Sequence, residues 1–307
     1  MTSLALCLVL LIPTQTPPDV STFPKALTEW VPVQEKPVFE GTGGNTWDKK
    51  IRERGWILKI GPVYHLWYTG YNDELSPNRF LGHATSSDGL KWTRDPANPL
   101  KTGSWVEDMC VIVKEGVYYM FAEGEKDQAH LLTSTDGVRW VEQGPLQIRK
   151  TNGRPIEPGP YGTPTVWYEN NVWNLLYERG DRGVWLARSK DLKIWTNIDD
   201  DPVLKMGPEA YDSQAVAINQ VIKRDGWFYA TYHATAQRPW KDWTTCIARS
   251  KDLIHWEKFA GNPIVKNNCS SGILVETAEG LCLYTMHPSV RVFRQTNTKP
   301  KDQPEAK

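Results

Sequence analysis

What this chain of 307 residues lacks narrows it first. No stretch carries a sustained helical period, so an all-β class is expected. Charge of one sign is not in excess: Lys plus Arg equals Asp plus Glu, 36 each. That balance speaks against a nucleic-acid partner, which calls for a basic face, and against a polybasic membrane contact. Long hydrophobic runs are missing too. The longest, residues 4–12, has nine residues, against roughly 20 for a bilayer-spanning helix, so no membrane insertion is expected. Cysteines are few. Cys7 lies within that apolar run, and the spacings of Cys110, Cys246, Cys269 and Cys282 do not match zinc ligands. They read as buried free thiols, with a disulfide after export as the alternative. No Gly-rich phosphate loop, metal motif or nucleophile elbow occurs.

The apolar run 4–12 has the length of a secretory h-region, although no Lys or Arg precedes it. Residues 1–16 are therefore read as a signal peptide and 17–24 as a leader, which implies a secreted or periplasmic protein. A misplaced start codon is the alternative. Residues 25–295 form the expected domain, and 296–307 a polar tail.

What the chain has in plenty is tryptophan, 15 residues, five of them in register. Trp30, Trp92, Trp140, Trp195 and Trp256 stand 48 to 62 residues apart. Four of them close a phrase Ser-x-Asp-x-x-x-Trp that begins at Ser86, Ser134, Ser189 and Ser250. A proline follows seven residues after four of the five, at Pro37, Pro99, Pro202 and Pro263. Repetition at this period marks a propeller or a solenoid. Asp88-Gly89 and Asp136-Gly137 are hairpin turns in which Gly supplies the positive φ. Where Leu192 and Leu253 replace that Gly, the Asp side chain must fold the turn itself.

Each unit reads as four strands. Second strands fall at 63–68, 118–121, 173–177, 227–232 and 281–284, giving five blades. After its third strand the fifth blade runs into the polar tail, without a Trp phrase. The orphan Trp30 at the other end, with Pro37 at the same offset, is expected to supply the missing outer strand and close the ring. The fold class is thus a five-bladed β-propeller of four-stranded antiparallel blades, closed by an N-terminal strand.

In a propeller the innermost strands line the central channel. Candidate acids sit near the starts of those strands: Asp48 after Trp47, Asp108 after Trp105 and Glu107, and Asp212 after Tyr211. Three carboxyls converging on one channel mouth would raise one another's pKa and lose solvation, and a protein keeps such a cluster for acid/base work or metal binding. Glu123, Glu178 and His233 end second strands and could reach the same mouth. Arg179 is placed either in the site or in an ion pair with Glu178. Arg52 and Arg54 are read as a solvated strand face, or as binders of a charged sugar or phosphate.

With these features the chain resembles the five-bladed glycoside hydrolases of the arabinanase, fructosidase and anhydrogalactosidase type, families 43, 32, 68 and 117, with the related mannoside phosphorylases of family 130. The resemblance covers about residues 25 to 295. It implies glycosidic-bond cleavage of the inverting kind, with Asp48 as general base, Asp108 as the blade-two acid and Asp212 at the proton donor's place, where arabinanases carry Glu. Trp47 and Trp105 would stack on the sugar, with Glu107, Glu123, Arg179 and His233 as further binding residues. No cofactor is implied, with a structural calcium ion in the channel as the alternative, and the partner is a carbohydrate substrate. Arg94-Asp95-Pro96 copies a fructosidase motif in letters but follows Trp92 by two residues, and is read as a turn away from the channel. Sialidase, glycoside phosphorylase and non-catalytic sugar-binding propeller are the competing readings. Sugar, linkage, exo or endo action and oligomeric state are left open.

Overall fold

The computed structural model describes residues 23–103, 105–278 and 280–296. The expected signal peptide, most of the leader and nearly all of the polar tail lie outside the described residues. Five antiparallel sheets form a ring. Blade one runs through Lys50–Ile60, Val63–Tyr71, Phe80–Ser86 and Thr93–Arg94. Blade two is Glu107–Lys114, Val117–Gly124, Gln128–Ser134 and Val141–Pro145. Blade four is Ala215–Arg224, Trp227–Thr235, Thr244–Ser250 and Trp256–Lys258. Blade three departs from four strands. Its core of Gly162–Glu169, Val172–Glu178, Gly183–Ser189 and Ile194–Asn197 gains Gln147–Arg149, parallel to the outer strand, and Leu204–Lys205.

Closure follows the expectation. Trp30–Pro32 pairs antiparallel with Arg291–Gln295 and completes blade five, outside Gly280–Thr285 and Ile273–Thr277. Trp30 behaves like two of its four counterparts: its Nε1 donates to Leu27 O at 3.0 Å, as Trp92 Nε1 does to Gly89 O at 3.1 Å and Trp256 Nε1 to Leu253 O at 2.9 Å. Phe23, at the end of the expected leader, is buried against Tyr229 and Phe259, so the ordered body starts slightly earlier than read.

The Ser-x-Asp phrase is one turn made four times. Ser86 Oγ accepts the N–H of Asp88 and Gly89, while Asp88 Oδ1 accepts those of Leu90 and Lys91. The same bonds recur from Ser134, Ser189 and Ser250. Leu192 and Leu253 adopt φ of 64° and 70°, a region that disfavours β-carbons, and the Asp bonds hold them there. Between the blades, side chains such as Trp67 and Trp195 are fully buried. The four cysteines among the described residues form no disulfide, and three of them are buried.

Four of the five inner strands break register where they near the axis. Bulges fall between Arg52 and Trp56, Glu107 and Cys110, Gly162 and Thr165, and Ile218 and Gln220. Glu53, Asp108 and Thr163 take positive φ there, of 58°, 41° and 43°, and Ser271 of blade five has 56°. A bulge re-aims side chains and frees backbone groups from the ladder.

Arg54 satisfies those groups. It is fully buried, which corrects its reading as a solvated or ligand-binding residue. Its guanidinium donates to Asp108 O, Met109 O, Pro164 O, Thr165 Oγ1, Ile218 O and Asn219 O, at 2.5 to 3.3 Å. One side chain from blade one thus fastens blades two, three and four at the axis. Arg54→Met would take the guanidinium from the buried carbonyls of Asp108, Met109, Pro164 and Asn219, which costs about 1–3 kcal/mol for each group left unpaired. We expect a loss of at least about 3 kcal/mol in urea denaturation; a variant as stable as wild type would refute this role.

Candidate active site

A cavity of about 530 Å³ opens at the end of the ring where the bulges lie. Its floor is built from Glu53, Asp108 and Thr163, the bulge residues of the first three blades. Its walls come from second-strand ends and the connections that follow them: Tyr71 in blade one, Glu123 and Asp127 in blade two, Glu178 and Asp181 in blade three, His233 and Trp240–Trp243 in blade four, and His287 in blade five.

The structure brings together four of the expected residues, Asp108, Glu123, Glu178 and His233. Glu107 lies beside them, buried, with Oε1 2.8 Å from Arg52 Nε and Oε2 accepting from Trp105 Nε1 at 2.6 Å. Trp105 therefore touches the site through Glu107, with Arg79 over its ring at 5.2 Å.

Asp48 and Asp212 do not join them, and this corrects the expected convergence of three aspartates. Asp48 is buried away from the cavity, bonded to Arg94 Nε at 2.7 Å, Tyr68 OH at 3.1 Å and Thr46 Oγ1 at 3.0 Å. Asp212 is bonded to Lys258 Nζ at 2.5 Å. Both precede their inner strand by several residues and are claimed by the cation two residues after their own blade's Trp. Trp47 stacks on Tyr68, 5.8 Å between centroids, instead of lining the cavity. Arg179 neither enters the site nor pairs with Glu178. It donates to the carbonyls of Glu157, Pro158 and Pro160. Arg94 lies outside the cavity lining, and Asp95 caps a turn through Ala97 N and His83.

Glu53 is the principal residue that sequence reasoning missed. Its signal was present: Glu53, Asp108 and Thr163 stand 55 residues apart in turn, a stricter repeat than that of the Trp phrases. Aligning on the aromatic-acid pairs Trp47-Asp48 and Tyr211-Asp212 put the phase of blade one wrong by five residues.

The cavity carboxyls are not equivalent. Burial works to raise Glu53, but the charges of Arg52, His287 and His233 outweigh it and hold Glu53 below its ordinary value. Arg52 Nη2 lies 2.7 Å from Glu53 Oε1. Asp108 is pushed up to about 6, by burial and then by the Glu53 charge. Glu178 is pushed up to about 8, by burial and then by Asp181. Glu123 rises well above the carboxylate range, through burial, Asp108 and Glu178. Glu107, deeper and flanking, is raised to about 7, chiefly by burial.

Glu123 and Glu178 are held face to face by backbone. Thr163 N–H donates to Glu123 Oε2 at 2.9 Å, and Gly162 N–H to Glu178 Oε1 at 3.1 Å. Asp181 N–H donates to Glu178 Oε2 at 2.5 Å. A β-carbon on Gly162 would sit 2.0 Å from Glu123 Oε2 and 2.6 Å from Glu178 Oε1, so both carboxyls crowd the space that only Gly leaves open. Two carboxyls this close resist ionising together.

No family model matches the chain. The 1,2-β-oligomannan phosphorylase of Thermoanaerobacter sp. is 25% identical over 278 residues, covering 80% of this chain and 90% of that protein. A probable sucrose-6-phosphate hydrolase of Psychromonas ingrahamii is 30% identical over 166 residues, 47% of this chain and 29% of that protein. A solved structure from the family-130 mannoside phosphorylases, a family described with it as containing glycoside hydrolases that target β-1,2 mannosidic linkages in Candida mannan, shares the fold. Its TM-score is 0.66 at 15% identity, covering 89% of this chain and 98% of that one. The chain resembles the five-bladed propeller glycoside hydrolases. Its relatives are carbohydrate-active enzymes, hydrolases and a phosphorylase among them. No helix among the described residues is long and apolar enough to cross a membrane.

Two outcomes follow from this placement. Asp48→Asn removes the charge that holds Arg94 and should lower stability by about 1.5–3 kcal/mol, the worth of hydrogen bonds to a charged group. Urea denaturation checks this, and an unchanged midpoint would contradict a structural Asp48. The second concerns pH. The folded pKa of Glu178 is raised, so its contribution to stability is complete below the ordinary carboxylate range and is lost as pH rises through about 8. Glu178→Gln should therefore gain melting temperature over wild type at pH 8 to 9 and gain little at pH 4. An equal difference at both pH values would overturn the assignment.

Proposed function

We propose that this chain is a glycoside hydrolase that cleaves a glycosidic bond in an oligo- or polysaccharide with inversion. The observation that carries the reading is the division of labour among neighbouring carboxyls in one cavity. Asp108 is held near neutrality, as a proton donor must be, beside a Glu53 held ionised. Enzymes that run acid and base chemistry at one pH push such groups apart in this way. Asp108 protonates the leaving oxygen. Glu53, the cavity carboxyl held ionised, takes the proton of an attacking water, while the proton-holding Glu123–Glu178 pair hydrogen-bonds the sugar. The charge of Glu53 also keeps the proton on Asp108 until the leaving oxygen takes it.

Water is favoured over phosphate as the attacking group. The cavity sets seven carboxyls, those of Glu53, Asp108, Glu123, Asp127, Glu178, Asp181 and Asp242, against Arg52, Lys241 and two histidines. Arg52 is already spent on Glu53 and Glu107. An incoming dianion would meet net repulsion. Phosphorolysis remains the second reading because of the oligomannan phosphorylase relative. Export by way of residues 1–16 belongs to the same proposal and suits an enzyme that meets polysaccharide outside the cytoplasm.

A panel of oligosaccharides, β-1,2-linked mannosides included, assayed with and without inorganic phosphate tests the reading. Free sugar should form at a rate that phosphate does not change. Phosphate-dependent release of a sugar 1-phosphate would establish the phosphorylase instead. Asp108→Asn should lower kcat/KM by about 10²- to 10⁴-fold, the usual worth of a general acid. In wild type, kcat/KM should fall as pH rises through about 6, where Asp108 loses its proton. Glu53→Gln removes the base and the neighbouring anion, and in the activity that remains the lowered Asp108 pKa should move that limb to more acid pH. A limb that stays in place, or moves to higher pH, would remove Asp108 from the role.

A further inference from the structure

We infer that Trp240, on the connection between Trp227–Thr235 and Thr244–Ser250 of blade four, is the platform of a second sugar subsite, and that it takes a neutral pyranose unit next to the one whose bond is broken. The inference rests on the glycan-cleaving reading above and extends it to the cavity rim.

Trp240 lines the cavity, yet it is 49% exposed. It belongs to none of the hydrophobic clusters that hold the blades together. A large aromatic ring so placed gains nothing for the core. Its position is nonetheless built. Thr235 Oγ1 donates to Lys241 O at 2.6 Å and accepts the N–H of Gln237 at 3.1 Å. Gln237 Nε2 reaches across the connection to Asp242 Oδ2 at 2.7 Å, and Trp243 N–H donates to Asn268 Oδ1 at 3.1 Å. Arg238, tethered by its Nε to Gln214 Oε1 at 3.0 Å, stands over the indole with its guanidinium carbon 5.2 Å from the ring centroid. The indole is thus pre-positioned at the edge of a cavity whose floor holds the acid pair. An aromatic face set this way offers an apolar surface to the C–H face of a pyranose.

Charge fixes the class of sugar. Lys241 and Asp242 follow Trp240 and offset each other, Arg238 stands over the indole tethered to Gln214, and across the cavity Glu53, Asp127, Asp181 and Asp242 outnumber Arg52 and Lys241. A uronate, sulfate or phosphate on the sugar at this subsite would face those carboxylates in a site whose charge is already mostly negative. A neutral hexose meets no such cost.

The test uses Asp108→Asn as a binding-competent, turnover-impaired parent on a glycan array that carries neutral oligosaccharides beside uronate- and phosphate-bearing ones. The parent should bind neutral oligosaccharides and leave the acidic ones unbound. Adding Trp240→Ala should weaken that binding about tenfold, the order expected when a contact aromatic is truncated. Trp240→Phe should restore most of it. On whichever neutral oligosaccharide wild type hydrolyses, Trp240→Ala alone should raise KM about tenfold with kcat nearly unchanged, a split that a folding defect would not give. Neutral binding that Trp240→Ala leaves intact, or acidic glycans bound as well as neutral ones, would overturn the subsite while the hydrolase reading stood. Binding of no glycan at all would overturn both.

Discussion

One guanidinium at the axis makes the rest of this architecture workable. Five strands that converge on a channel must each bend or stop, and in four of the blades they bulge, which strips backbone carbonyls of ladder partners in a buried place. Such groups cost free energy unless they are bonded. Arg54 meets the need of three other blades with a single planar fork of donors. It pairs with carbonyl and hydroxyl oxygens and leaves the carboxylates of the site uncommitted. Asp108 takes only the backbone N–H of Arg54, at 3.1 Å, so its carboxyl stays available to the cavity.

That arrangement explains how so many acids can be buried together. A positive charge at the axis lowers Asp108, while burial and Glu53 raise it further, and the net result lies near 6. Across the cavity no cation opposes burial in the same way. Glu178 and Glu123 are anchored by backbone N–H groups over Gly162 and rise higher. The cavity is therefore graded, from an ionised Glu53 under Arg52 to a proton-holding pair in blades two and three. Each retained proton is also a departure from the ionisation state that water would give these carboxyls at neutral pH. The site stores destabilisation that the inter-blade packing must offset.

The architecture was legible because its signals are local. A Ser-x-Asp turn closes on its own atoms, so each copy carries its geometry wherever it stands. Ring closure could be read from the same phrase at Trp30. The site was only half legible. Glu123, Glu178 and His233 end strands whose pattern is plain, and they were placed at the mouth for that reason. Position along the inner strands depends on a bulge, which inserts two residues in blade one and one in blades two to four, so alternation no longer tells which way a side chain points. Arg52-Glu53-Arg54 looks like a solvated alternation until the bulge turns Glu53 into the cavity and Arg54 onto the axis. The constant step of 55 residues through Glu53, Asp108 and Thr163 records that phase, because it counts bulge to bulge. The Trp phrases count between outer strands, whose connecting loops differ in length.

The two aspartates that fell outside the cavity show what an acid before an inner strand does otherwise. Asp48 and Asp212 are counterparts. Arg94 and Lys258, each two residues after a blade's Trp, hold them. Asn98 and Asn262 complete the copy: each side-chain amide brackets a third strand, at His83 and at Ile247, while reaching the hydroxyl of Tyr68 or Tyr232. In blades one and four this network ties the loop entering the inner strand to the outer edge of the same blade. An acid bound by its own blade's cation cannot also serve a channel shared by all five. The carboxyls left for chemistry are those that the bulges and second-strand ends deliver past that network, where backbone N–H groups and one shared arginine, not a dedicated cation for each, set their charge.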